Sequence, residues 1–167
     1  MRKPILAVVV VVASAVAIVS AAAVGTAVAG PGWHHAQAAG SHPSAQRFTV
    51  VERALTDTTA DTGPTGDSLG DVLAFANPIY DAANKVKLGS DNGSCIRTAV
   101  GAAYECSWTT TLAGGSLVVS GPFYDTKDSV LAVTEGTGKY SHAHGEMRLH
   151  ARNAKGTAYN FAFSVSP

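Results

Sequence analysis

Residues 117–149, LVVSGPFYDTKDSVLAVTEGTGKYSHAHGEMRL, contain the pattern that decides the fold. Three short runs of mainly β-branched and apolar residues, separated by turn-forming residues, lie at 117–123, 130–134 and 146–152. The last connection contains Gly136-Thr137-Gly138, whose glycines can adopt the positive φ angles of a tight turn. Strands this short and evenly spaced predict an antiparallel meander rather than a βαβ unit.

The rest of residues 47–167 continues the same pattern. Eight strands are predicted, at 47–54, 69–77, 94–100, 103–112, 116–123, 129–134, 144–153 and 157–165. In the last one, Tyr159, Phe161, Phe163 and Val165 share one face, and small or polar residues share the other. Eight short antiparallel strands predict an all-β up-and-down barrel, which has no free edges and can hold one small ligand. Composition alone does not distinguish such a barrel from a sandwich.

The first 29 residues predict a secretion signal. Arg2 and Lys3 precede an apolar run at 5–24, and Ala27-Val28-Ala29 forms a small-residue cleavage site. The run is about 20 residues long, which would also suit an uncleaved membrane anchor. The cleavage site favours a signal peptide that is removed after Ala29, so we expect a secreted protein without a membrane attachment.

Residues 30–46, GPGWHHAQAAGSHPSAQ, predict a flexible linker before a single domain at 47–167. Loss of residues 1–29 removes two of the twelve Lys and Arg residues and none of the twelve Asp and Glu residues, which leaves a net charge of −2. Without a basic patch, nucleic-acid binding is not expected.

No cofactor or metal is predicted. The chain contains no G-x-S-x-G elbow, no phosphate-binding Walker loop and no Cys/His cluster with zinc spacing. Trp33-His34-His35 and the pair His142 and His144 lack further ligands at fixed spacing. The alternating polar residues at 144–150 predict a solvated strand face.

Cys95 and Cys106 are the only cysteines, and secretion would place them in an oxidising compartment. They flank a predicted hairpin whose turn contains Gly101-Ala102. With the turn centred there, the two residues are directly opposed at a distance that suits a disulfide. A Cys95–Cys106 disulfide is therefore predicted. Asn92-Gly93-Ser94 matches a glycosylation sequon, but Asn-Gly is also a common turn, and we interpret it as a turn.

Several motifs resemble the allene oxide cyclase and dirigent protein superfamily. The opening stretch contains G-P-F/Y, then D-S/T-x-L-A-V/I-T-x-G-T/S-G, then G-x-x-x-L. Residues 70–80, GDVLAFANPIY, are similar to G-D-x-x-x-F-x-N-x-x-Y, and Gly93-Ser94-Cys95 resembles G-x-C. The resemblance covers 47–165 and implies a calycin-like barrel and a homotrimer. Glu135 departs from the pattern, because the family usually has glycine there.

A candidate pocket follows partly from alternation and partly from the resemblance. Glu52 lies in an apolar strand on the same face as Val50. The resemblance implies that Glu52 is the pocket carboxylate and that Asn77 is the asparagine that helps it hold a water at the substrate. Phe75, Tyr80 and Val50 are the predicted substrate contacts. The alternatives are a Glu52 ion pair with Arg53 at a rim, and a turn at Asn77-Pro78.

Other features differ from the plant cyclases. Ala54 replaces an asparagine of their polar set, and the loop at 56–68 does not align. In the family the cysteine that matches Cys95 lines the pocket, which a disulfide would prevent from acting as a free thiol. Two functions therefore remain open: an isomerase or cyclase of a small apolar substrate, or a non-catalytic barrel that binds such a ligand or steers radical coupling, as dirigent proteins do.

Overall fold

The computed structural model describes residues 45–166, in which nine strands and one 3₁₀ turn at Gly138–Tyr140 are found. The strands are β1 (Gln46–Arg53), β2 (Thr58–Ala60), β3 (Val72–Asp81), β4 (Lys87–Ala99), β5 (Ala103–Leu112), β6 (Gly115–Tyr124), β7 (Ser129–Gly136), β8 (His144–Ala151) and β9 (Ala158–Ser166). No helix in this part of the chain is long and apolar enough to cross a membrane. The predicted signal peptide, the cleavage site and Trp33-His34-His35 lie outside the described residues.

The strands form one closed sheet. They pair antiparallel in the order β1-β9-β8-β7-β6-β5-β4-β3-β2, and β1 also pairs with β3. This last pairing extends from Val50–Asp81 to Glu52–Ile79 and joins the two ends of the sheet. The short β2 pairs with β3 alone, so eight strands close the barrel. The predicted all-β, eight-stranded antiparallel up-and-down barrel is confirmed, and closure leaves its main strands without free edges.

Alternating side chains fill the interior. On β9, Phe161, Phe163 and Val165 are buried, and Tyr159 is half-buried at the start of the strand. Phe48 on β1 stacks on Phe163 with 5.0 Å between ring centroids. The apolar residues of all eight barrel strands belong to one continuous core. The period of two that the sequence shows in this strand therefore gives an inner and an outer face.

β4 begins at Lys87, well before the predicted start at 94, and Asn92-Gly93 lies in its middle. The interpretation of Asn92-Gly93 as a turn is therefore wrong. Gly93 is directly opposite Trp108 on β5, and a Cβ atom at Gly93 would overlap the Cβ atom of Trp108 and the carbonyl oxygen of Ser107. The glycine allows the backbone of β5 at Ser107 and Trp108 to approach closely, and it does not introduce a bend.

The predicted disulfide is confirmed. Cys95 and Cys106 are register partners on β4 and β5, with Cα atoms 4.0 Å apart, and they are bonded to each other. Both are buried, on the same inner face of the hairpin as Asp91 and Trp108. The disulfide is thus part of the inner wall of the barrel.

The loop between β2 and β3 is fixed at the end of the barrel where β3 begins. Asp71 is buried there and accepts hydrogen bonds from the backbone N–H and the hydroxyl of Ser68. Arg97 forms ion pairs with Asp67 at 2.7 Å and with Asp125 at 2.8 Å. These contacts connect the long loop to β4 and to the connection between β6 and β7.

The outer face of β8 is polar and exposed, at His144, Glu146, Arg148 and His150. Glu135, the unusual carboxylate of β7, is exposed as well. In residues 45–166 no three potential metal-ligating side chains lie together. His142 and His144 therefore belong to no such group in the described part of the chain.

Candidate functional site

Four polar side chains form a row across the inner walls of neighbouring strands: Glu52, Asn77, Asp91 and Thr110. Asn77 is opposite Asp91 across β3 and β4, and Asp91 is opposite Thr110 across β4 and β5. Their exposed fractions are 6%, 1%, 0% and 0%. Polar groups buried in an apolar interior are costly unless they bind one another or a ligand. This row is therefore the part of the interior where chemistry is expected.

Asn77 holds Glu52 in place. Its Nδ2 donates to Glu52 Oε1 at 2.8 Å and to Asp57 Oδ1 at 2.7 Å. Its Oδ1 accepts hydrogen bonds from the backbone N–H groups of Leu55 and Thr56, both at 2.9 Å. Both donor hydrogens are engaged, so the amide fixes the chain where it leaves β1 and orients Glu52.

Glu52 and Asp91 form a buried carboxyl pair, and the two groups are close enough for each to influence the pKa of the other. Burial is the main cause that raises the pKa of Glu52 well above its usual value, and the charge of Asp91 raises it further. Burial also raises the pKa of Asp91 to about 7. Because adjacent buried carboxylates repel each other, the two groups lose their protons in separate steps.

The surroundings of the two carboxyl groups differ. Glu52 accepts a hydrogen bond from Asn77, whereas neither carboxylate oxygen of Asp91 has a hydrogen bond within residues 45–166. Glu52 lines the cavity beside it and Asp91 does not. Glu52 is therefore the member of the pair that can exchange a proton with a bound molecule.

A small cavity of about 30 Å³ lies beside Glu52. Its lining is mainly aromatic and apolar: Glu52, Asp57, Leu73, Phe75, Cys95, Cys106, Trp108, Phe123, Leu149 and Phe161. The ring of Trp108 contacts Phe75 edge-on at 5.9 Å and Phe161 at 5.5 Å between centroids. The volume accommodates about one or two water molecules. A larger ligand requires side chains of the lining to move.

A second space adjoins the cavity from outside. It is a cleft of about 580 Å³ between the β6–β7 connection and the β8–β9 turn. Phe123 and Leu149 line both spaces. Phe123 is half-buried, and its ring contacts Tyr159 edge-on at 5.9 Å. Phe123 and Leu149 thus separate the cavity from the cleft, and rotation of Phe123 would join them.

Comparison with known proteins identifies the family of this barrel. The family model for allene oxide cyclase matches residues 53–156, which include Asn77, Asp91 and the disulfide. The chain belongs to the allene oxide cyclase family. The resemblance inferred from the sequence motifs is thereby confirmed.

Solved structures share the fold of this allene oxide cyclase family member at low sequence identity. A pyocyanin demethylase is 22% identical, with a TM-score of 0.61, over 71% of this chain and 100% of its own. A pterocarpan synthase dirigent protein is 12% identical, with a TM-score of 0.60, over 74% and 94%. A Diels–Alderase from Streptomyces koyangensis is 14% identical, with a TM-score of 0.61, over 78% and 71%. At these identities the similarity shows the fold alone.

Three of the predicted site residues come together in this member of the allene oxide cyclase family. Glu52 and Phe75 line the cavity, and Asn77 binds Glu52 directly. Val50 is buried on the same strand face but packs in the core away from the cavity lining. The catalytic and binding roles of these residues remain predictions.

Tyr80 does not join the site. It alternates on β3 with the inward-facing Ile79 and lies on the outer wall, where the guanidinium of Arg53 is 3.7 Å from its ring centroid. Arg53 also binds Asn84 at 2.8 Å. The alternative of a Glu52–Arg53 ion pair is therefore wrong, because the two residues point to opposite sides of β1.

Sequence reasoning missed Asp91, Asp57 and Trp108. A signal for Asp91 was present: it is four residues before Cys95 in a single strand, so the two share a face. The interpretation of Asn92-Gly93 as a turn hid that relation. Asp57 lies in a segment without strand periodicity, so its contact with Asn77 depends on tertiary structure alone.

Proposed function

We propose that this barrel is an isomerase or cyclase that applies acid–base catalysis to a small, largely apolar substrate. The observation that carries the proposal is the buried Glu52–Asp91 pair beside an aromatic cavity. A carboxyl group that keeps its proton near neutral pH can donate it, and the resulting carboxylate can take a proton back. Glu52 lines the cavity and is the catalytic residue of the proposal. Asp91 and Asn77 are positioning residues.

The reaction is redox-neutral. The Glu52 carboxyl donates its proton to an oxygen or nitrogen atom of the bound substrate, and electron density moves toward that atom as a bond within the substrate rearranges. The Glu52 carboxylate then removes one proton from the rearranged molecule, so an isomer leaves and the enzyme is restored. Asn77 stabilises the carboxylate through its Nδ2 hydrogen bond during the interval.

Two of the names support this class of reaction. The family is named for a cyclase, and one structural relative is a Diels–Alderase, whereas another relative is a pyocyanin demethylase. An apolar barrel that holds a flexible molecule in one folded conformation favours ring closure by orientation.

The second candidate is a non-catalytic ligand-binding or dirigent-like barrel. The disulfide favours it, since Cys95 is unavailable as a pocket thiol. The cavity of about 30 Å³ does not discriminate between the two functions, because a substrate and a non-reacting ligand would both require rearrangement of the lining.

The deciding experiment begins with native mass spectrometry of the protein purified from its own source, to identify a co-purifying small molecule. That molecule is then incubated in D₂O with wild type, Glu52→Gln and the matched control Glu105→Gln, an exposed carboxyl on β5. We expect deuterium incorporation or an isomer of equal mass with wild type and the control, and neither with Glu52→Gln. Binding by all three proteins without exchange or conversion would establish the binding barrel instead.

We also propose that the protein is secreted after cleavage behind Ala29 and assembles as a homotrimer. The cleavage motif and the family resemblance support these two statements. N-terminal sequencing of secreted material should begin at Gly30, and retained Met1 would favour a membrane anchor. Light scattering of the purified protein measures the assembly.

A further inference from the structure

The charges around the inner cavity are unbalanced. Glu52 and Asp57 line it, and Asp91, which is not part of the lining, lies beside Glu52. No Lys, Arg or His of residues 45–166 contributes to the lining. The buried Arg97 is already paired with Asp67 and Asp125. With one proton on the carboxyl pair, this interior still carries excess negative charge.

An unpartnered polar atom gives a second, independent observation. Trp108 lines the same cavity and is 4% exposed, and its indole N–H has no hydrogen-bond partner within the described residues. Buried polar atoms are nearly always satisfied in folded proteins, by protein, water or ligand. The indole N–H of this lining residue therefore remains available to a bound molecule.

We propose that the inner cavity binds a planar aromatic ring with a basic nitrogen atom and discriminates against carboxylates. The ring would pack against Phe75, Trp108 and Phe161, and its nitrogen would face Glu52. This inference depends on the proposed function only in taking the cavity as the ligand site, and it requires no turnover.

The selectivity has two physical causes. Glu52 can donate a hydrogen bond to a ring nitrogen, or transfer its proton so that an ion pair forms beside aromatic faces that favour cations. A carboxylate at the same place would face Glu52, Asp57 and Asp91 in a region of low dielectric without any cation. An acidic group is tolerated better in the outer cleft, whose lining contains Lys127 and Lys155 as well as Asp125 and Asp128.

Entry of such a ring requires Phe123, which separates the cavity from the outer cleft, to move. An apolar cavity of about 150 Å³ accommodates benzene, whereas the present cavity has about 30 Å³. Displacement of Phe123 would add space from the outer cleft of about 580 Å³. Phe123→Ala therefore opens the site without any change in its charges, and Phe123→Leu is a milder replacement if the alanine variant does not fold.

Three probes of equal ring size test the inference: isoquinoline, naphthalene and 2-naphthoate. Equilibrium dialysis near neutral pH measures their binding to the mature protein and to Phe123→Ala. We expect isoquinoline to bind at least about tenfold more tightly than naphthalene, with 2-naphthoate weakest. In the Phe123→Ala background, Glu52→Gln should reduce the preference for isoquinoline to about threefold or less, and Glu105→Gln should retain it.

The possible outcomes distinguish failure of ring binding from failure of the proposed catalysis. Equal binding of the three probes, strongest binding of 2-naphthoate, or binding of none by either protein overturns the inference. Selective binding of isoquinoline by a protein that converts no ligand keeps this inference and removes the proposed catalysis. Turnover of a ligand whose carboxylate must enter the inner cavity keeps the catalysis and removes this inference.

Discussion

Asp91→Asn removes one of two buried carboxyl groups while it keeps the shape of the side chain. Burial raises the pKa of Asp91 to about 7 in the folded protein, whereas an aspartate in an unfolded chain titrates at about 4. Between these two values the unfolded chain has lost the proton and the folded protein keeps it. The free energy of unfolding of wild type should therefore fall as the pH rises from about 4 to about 7, and the variant should lack this fall.

The magnitude follows from the two pKa values. A difference of about three corresponds to about 4 kcal/mol, which wild type has lost in full at about pH 8. At about pH 5 the loss is only about 1.5 kcal/mol. The stability of Asp91→Asn relative to wild type should thus increase by about 2–3 kcal/mol between the two conditions. Glu52 contributes in the same direction, because removal of the Asp91 charge lowers the pKa of Glu52.

Urea denaturation followed by tryptophan fluorescence measures this difference. With a slope of about 1–3 kcal/mol per molar urea, the midpoint difference between variant and wild type should change by about 0.7–3 M from about pH 5 to about pH 8. Any pH-independent cost of the amide cancels in this comparison. Glu105→Gln, which replaces an exposed carboxyl, is the control and should show little pH-dependent difference. A difference for Asp91→Asn that is equal at both pH values would refute the buried carboxyl pair.

The remaining predictions concern the framework of the site. Secreted protein should take up no alkylating label without reductant, and two labels per chain would contradict the disulfide. The double substitution Cys95→Ser and Cys106→Ser should lower the free energy of unfolding by about 2–3 kcal/mol, as the short loop that the disulfide closes predicts. Asn77→Ala should cost about 2–4 kcal/mol in urea denaturation because it removes the hydrogen bonds to Leu55, Thr56 and Asp57, and a stability equal to that of wild type would show that the amide does not fix this segment. Gly93→Ala should cost more than about 2 kcal/mol and shift tryptophan emission, because the new methyl group overlaps Trp108; the neighbouring exposed substitution Ser94→Ala should do neither.

Much of the fold could be predicted because its determinants are local. The alternation of Phe161, Phe163 and Val165 assigns an inner face to β9 without knowledge of any other strand. The disulfide could be predicted because Cys95 and Cys106 are related by a single hairpin. The start of β4 could not be predicted from the sequence, because Asp91-Asn92-Gly93 resembles a turn by composition. Its strand conformation depends on long-range pairing with Asn77 on β3 and Trp108 on β5.

Some features of the candidate site likewise follow from the local sequence, and others depend on the tertiary structure. The all-β barrel, the family and the disulfide could be predicted from the sequence, since alternation and motifs are properties of short segments, and the family resemblance favoured an inward-facing Glu52. The tertiary structure was needed to show that Asp91 lies beside Glu52, that Asn77 orients Glu52 and that Tyr80 faces outward. The physical reason is that barrel closure between β1 and β3 brings Glu52 beside strands that are distant in the chain. Burial and charge at that junction, which no single segment encodes, set the pKa values of the pair.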